Sequence, residues 1–113
     1  DLFCTNQNLI KMVHALDIDL IWCEKPLMLR ASTLKYIKKT YKSIKIVFYS
    51  EDDMYARHNW SHFFLKSLPY YDIVYTNKSY NCNPDELPSL GARKVVFVDK
   101  AFCKYTHRPL SLT

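Results

Sequence analysis

Ile44-Lys-Ile-Val-Phe-Tyr-Ser-Glu-Asp-Asp-Met-Tyr-Ala-Arg-His-Asn-Trp60 is the stretch whose reading decides the fold. Ile44 to Tyr49 is a β-branched and aromatic run, which reads as a strand buried on both faces, as in a parallel sheet. The chain then turns abruptly polar at Ser50, Glu51, Asp52 and Asp53. In open α/β sheets the residues just past the carboxyl ends of strands line the ligand crevice. The acidic cluster therefore falls where such a fold places its chemistry. From Trp60 the pattern becomes helical, with Trp60, Phe63, Phe64 and Leu68 as an apolar stripe, Asn59 as N-cap and Pro69 as stop.

The same unit repeats outward in both directions. Upstream, Leu9, Ile10, Val13 and Leu16 predict a helix over 6–16, and Ile18 to Cys23 predict a buried strand closed by Glu24, Lys25 and Pro26. Ser32 or Thr33 caps a second helix running to about Lys42, with Leu34, Ile37 and Tyr41 inward. Downstream, 72–76 and 94–98 read as strands. Between them Asn83-Pro-Asp-Glu86 starts a helix that Pro88 keeps short, and Gly91 suits the left-handed position after its end. Strands of about five residues alternating with helices predict an α/β fold, a Rossmann-like parallel sheet flanked by helices with right-handed crossovers. A small α+β fold is the alternative. Residues 1–113 read as one such domain, and 99–113, with no clear period and with Pro109, read as the start of an interdomain linker.

Composition narrows the function classes. The chain of 113 residues is 49% hydrophobic and 24% charged, enough for one core. Its single glycine excludes a Gly-rich phosphate loop within these residues. It begins at Asp1 with no signal peptide, and reads as a fragment. Cysteines 4, 23, 82 and 103 form no CxxC pair and read as reduced, structural thiols of a cytosolic protein. In that compartment the two sequons at Asn59 and Asn77 carry no meaning.

The net charge of +5 favours anionic partners. Lys35, Lys38, Lys39 and Lys42 fall on one helix face. The plain reading is a solvated face; the sharper one is a basic surface docking on an anionic membrane from its inner side. Nucleic acid is disfavoured, because the aromatics fall in predicted core strands and in the Trp60–Leu68 stripe instead of an exposed basic face.

Asp52 and Asp53 are candidate general bases for deprotonating a hydroxyl, and His58 is another because imidazole titrates near neutrality. Lys25, Asn59 and Lys78 are candidate substrate-binding residues at strand ends. Each also has a plain structural reading: a surface lysine, a helix cap, acids that balance Lys25 and Arg57. No metal is expected, since no histidine or further acid completes a site around 51–53.

The order Asp-Leu-Ile (19–21), Lys25, Phe-Tyr-Ser-Glu-Asp-Asp (48–53), His58-Asn59, Tyr-Asp-Ile-Val-Tyr-Thr-Asn-Lys (71–78), Leu-Gly-Ala-Arg-Lys-Val (90–95) and His107-Arg-Pro109 resembles the amino-terminal domain of GT-B glycosyltransferases. Within them it is most similar to the group named for the spore maturation protein CgeB, related to the glycosyl transferases group 1 family. The resemblance implies two Rossmann-like domains facing across a cleft. The amino-terminal one shapes the acceptor side and often supplies the base. The carboxy-terminal one binds the nucleotide-sugar donor, a cosubstrate, and no other cofactor is implied. It also implies a first strand ahead of Asp1, and a chain inactive as a transferase without the donor domain. Two alternatives stand beside it: a nucleotide- or phosphate-binding Rossmann module without catalysis, and a basic nucleic-acid-binding domain.

Overall fold

The β-branched run at 44–49 folds as the second of four strands, all parallel, in the order β1-β2-β3-β4. The computed structural model describes residues 2–101 and 103–111, so Asp1, Phe102, Leu112 and Thr113 of the expected domain and linker lie outside the described residues. The strands are β1 Leu20–Glu24, β2 Lys45–Ser50, β3 Ile73–Thr76 and β4 Val95–Phe97, each within two residues of its expected start. Helix α1, Leu2–Ala15, precedes β1, and α2, Ala31–Thr40, joins β1 to β2. A short α3, Phe64–Ser67, lies between β2 and β3.

Strand order has a consequence for the layers. Each crossover steps to the next strand in the same direction, and right-handed crossovers that all step one way put their helices on one face of a sheet. The core reflects this. Cys23, Ile46, Phe48 and Val74 face Val13 of α1, Leu34 and Ile37 of α2, Phe64 of α3, and Leu68 and Leu87. The other alternation set, Trp22, Val47, Tyr49, Ile73 and Tyr75, lies outside that core. The sheet is thus parallel and flanked by helices as expected, and the core of the described residues gathers those helices on one face. The expectation of a buried strand over 18–23 holds for Cys23 but not for Trp22, which is 50% exposed. Only the middle of β2 is closed on both sides, where Ile46, Val47 and Phe48 are all buried.

Two expected helices shorten. The run from Trp60 is helical only over α3, and Asn59 does not cap it. Ser61 explains the delay: its hydroxyl accepts from the Phe63 amide at 3.3 Å and donates to the Leu27 carbonyl at 2.5 Å, which holds Ser61 in a turn. The helix expected after Asn83 is replaced by 3-10 turns at Ser79–Cys82 and Leu87–Leu90. Pro84 and Pro88, four residues apart, each lack the amide an α-helix interior needs. Gly91 does take the left-handed conformation, φ +107°, and a Cβ there would come within 3.2 Å of Pro69. The N-cap of α2 is Arg30, with no side-chain cap, so Ser32 and Thr33 lie inside the helix. Thr33 instead donates its hydroxyl to Asn6 Oδ1 at 2.7 Å, tying α1 to α2.

Candidate functional site at the carboxyl edge of the sheet

Because all strands run the same way, the segments after β1, β2 and β3 emerge on one edge. Lys25, Glu51 to Asp53, and Asn77 to Lys78 are those segments. A cavity of about 380 Å³ opens there, lined by Glu24, Lys25, Tyr49, Ser50, Glu51 and Asp52.

Lys25 is the sharpest feature of this edge. Its φ of +39° is the one positive value at a non-glycine residue among the described residues. The left-handed region costs an L-residue about 1–2 kcal/mol, so neighbouring contacts must hold it. They do: the Lys25 amide donates to the Tyr49 carbonyl at 2.8 Å, and Leu27 donates to the Lys25 carbonyl at 2.8 Å. The turn aims the ammonium at Asp52, with Nζ to Oδ2 at 2.5 Å. Asp52 is itself set by a turn in which its amide donates to Ser50 Oγ at 3.0 Å. The hydrogen bond from Lys25 holds the Asp52 carboxyl below its ordinary pKa, aided by the charges of Lys25, Lys78 and His58. Of the residues chosen from the sequence, Lys25 is in direct contact with Asp52, and Lys78 and His58 act on it through charge.

Asp53 is held differently. Its Oδ1 accepts from the Tyr55 amide at 3.0 Å and from Asn81 Nδ2 at 2.9 Å. Asn81 is fully buried and has every side-chain atom engaged. Its Nδ2 also donates to Glu86 Oε2 at 2.8 Å, and its Oδ1 accepts from the Met54 amide and Thr76 Oγ1, both at 3.3 Å. Asn81 thus fixes Asp53 to the end of β3. Sequence reading passed it over, since an asparagine in Asn-Lys-Ser-Tyr-Asn looks like any loop residue. Asn59 is also engaged in the loop: its Nδ2 donates to the Asp53 carbonyl at 2.8 Å. His58 lies exposed in the 3-10 turn Arg57–Asn59. Lys78 donates its amide to Thr76 Oγ1 at 3.0 Å. Beside it, Asn77 Oδ1 is buried with no hydrogen-bond partner among the described residues, an acceptor still to be satisfied.

These environments separate the two aspartates chemically. A carboxylate stabilised by a lysine is a weaker base, so Asp52 suits holding Lys25 in place and presenting a fixed charge pair. Asp53, oriented by Asn81 and half-buried, suits hydrogen bonding to a hydroxyl. On the outer rim Lys100 Nζ bridges Glu51 at 3.0 Å, and the lysine hydrogen bond holds the Glu51 carboxyl low as well. Among the described residues no group of three or more His, Cys, Asp or Glu side chains lies together as metal ligands would.

The basic helix face is altered by packing. Lys35, Lys39 and Lys42 are exposed, but Lys38 turns inward and pairs with Asp72, and α2 ends before Lys42. No described helix is long and apolar enough to cross a membrane. Cys23, Cys82 and Cys103 are thiols; burial pushes Cys23 up to about 11, which makes it unreactive. Comparison of the chain with protein-family profiles, with curated proteins and with solved structures returns no match.

Proposed function

We propose that this chain is the acceptor-side domain of a glycosyltransferase that moves a sugar from a nucleotide-sugar donor to a hydroxyl. The observation that supports the reading is the carboxyl edge, where the fixed charge pair of Lys25 and Asp52 lines a cavity and Asp53, next in the chain but outside that lining, is held by buried Asn81. Transfer to a hydroxyl needs a base for its proton and donors and acceptors for the sugar. Asp53 takes the first role, with His58 beside it. Lys25 and Lys78 place positive charge toward the diphosphate leaving group. The donor is bound mainly by a second domain. The reading places the enzyme in the cytoplasm, consistent with the thiols of Cys23, Cys82 and Cys103, with Lys35, Lys39 and Lys42 available to an anionic membrane surface.

The test is sugar transfer by the intact enzyme across a panel of nucleotide sugars and hydroxyl acceptors. Asp53→Asn, which keeps the volume, is expected to lower kcat by about 100-fold or more with the circular dichroism spectrum unchanged. Unchanged turnover would remove Asp53 as base. Absence of transfer or hydrolysis with every donor would remove the reading itself.

A further inference from the structure

Among the described residues one face of the sheet carries no helix, which is unusual for its type, because all-parallel sheets are ordinarily covered on both sides. Strand register gives its composition row by row. Leu20 and Lys45 stand at the amino end, Trp22, Val47 and Ile73 in the middle, and Glu24, Tyr49, Tyr75 and Val96 toward the carboxyl end. Leu20 is 52% and Trp22 50% exposed. Trp22 is stacked on Tyr75 at 5.7 Å between ring centroids and lies 5.6 Å from Tyr49. The rings therefore already form a preorganised apolar plateau.

The charges around that plateau are ordered. Lys45, and Lys94 just before β4, stand exposed at the amino end; Glu24 and Glu51 stand exposed at the carboxyl end. Among the described residues Lys45, Lys94 and Glu24 form no ion pair. Glu51 is already paired with Lys100, so the charges left there without an ion pair are Lys45 and Lys94 at the amino end and Glu24 at the carboxyl end. A polyanion such as single-stranded nucleic acid needs a continuous positive track beside its stacking rings, and Glu24, next to Trp22 and Tyr49, interrupts one. A surface that is basic at one end and acidic at the other complements a reversed copy of itself.

We infer that this face binds the same face of a second copy of the chain, about a two-fold axis running across the strands. That axis makes the two sets of strands antiparallel and lays Glu24 of each copy toward Lys45 of the other. An axis along the strands would instead bring Lys45 against Lys45, a repulsive arrangement. Trp22 and Tyr75 lie near the centre, where aromatic anchors contribute most to an interface. Sheets pack face to face about 10 Å apart, which leaves room for these rings to interdigitate.

Sedimentation equilibrium of the 113-residue chain from about 1 μM to about 1 mM tests this. The expected result is a reversible monomer–dimer equilibrium that Trp22→Asp weakens by about 100-fold or more. Trp22 is 50% exposed, and an unchanged circular dichroism spectrum is the expected check that Trp22→Asp keeps the fold. Glu24→Lys alone and Lys45→Glu alone are each expected to weaken the dimer by about 10-fold, and the double variant to restore it to within about 3-fold of the parent. A monomer at every concentration overturns the proposal. So does a dimer indifferent to Trp22→Asp, or a double variant no better than the singles. Quenching of Trp22 fluorescence by single-stranded DNA on a monomeric chain would assign the face to nucleic acid instead.

Discussion

Two lysine–aspartate pairs stand at opposite edges of the same sheet, and their difference separates scaffold from site. At the amino edge Lys38 Nζ sits 2.7 and 2.6 Å from the two carboxylate oxygens of Asp72 and 3.3 Å from the Ile44 carbonyl. Asp72 Oδ2 also accepts from the Ile46 amide at 2.8 Å, so the pair fastens α2, β2 and β3 together. Its side chains are 20% and 15% exposed. At the carboxyl edge Lys25 and Asp52 are 33% and 49% exposed, rest on a turn in left-handed backbone, and border a cavity. The first pair is shielded and has its oxygens filled by the protein. The second is open to water and to any ligand that enters. The same two residue types fasten the scaffold where they are shielded and stay accessible to a ligand where they are not.

The sharpest way to break this comparison is to remove one carboxylate from each pair. Asp72→Ala is expected to lower the unfolding free energy by about 2–3 kcal/mol in urea titrations, because it leaves a half-buried lysine without its counter-ion and a strand amide unpartnered. Asp52→Asn in the same assay is expected to leave the midpoint in place, since an exposed pair adds little. Equal losses for the two would show that the edges do not differ.

Acid titration sharpens the point. Burial alone would raise the Asp72 pKa, but the Lys38 hydrogen bonds and the Ile46 amide outweigh it and hold the carboxyl below its ordinary value. A depressed folded pKa gives stability that is complete above the unfolded value of about 3.9 and is lost as the pH falls through the folded one. The stability gap between the parent and Asp72→Ala is therefore expected to stay constant near neutrality and to close below about pH 4. A gap that persists at lower pH would mean the contribution is not the ion pair.

The smallest effect concerns backbone. Lys25→Gly relieves the positive φ and is expected to cost nothing or to stabilise by up to about 1 kcal/mol, while Lys38→Gly, inside α2, destabilises. Thermal unfolding of both variants checks it. A Lys25→Gly loss larger than the Lys38→Gly loss would make the carboxyl-edge turn part of the scaffold after all.

Much of the site was legible because it depends on strand direction. Once four apolar runs are strands of a parallel sheet, Lys25, Asp52 and Lys78 must share an edge, however far apart they are in sequence. What was not legible were the partners. Nothing in Tyr-Tyr-Asp-Ile distinguishes Asp72, which anchors the sheet, from Asp52, which does not. Asn81 likewise carries no local mark of being the fully buried group that positions Asp53.

The sequence by itself determined the four strands, their common direction and the helices ahead of β1 and β2. Apolar period sets strand against helix, Pro69 falls in a 3-10 turn just after α3, and Gly91 takes the one backbone conformation that needs it. These are short-range properties, fixed by residues a few places apart. Tertiary structure alone decided that every crossover steps the same way, and hence that one sheet face is covered while Trp22, Tyr49 and Tyr75 remain outside the core. It also decided that Lys38 leaves its basic face for Asp72. The reason is that strand order and side-chain pairing are long-range outcomes: a helical or extended period states which face of an element is apolar, and only assembly states what, if anything, will cover it.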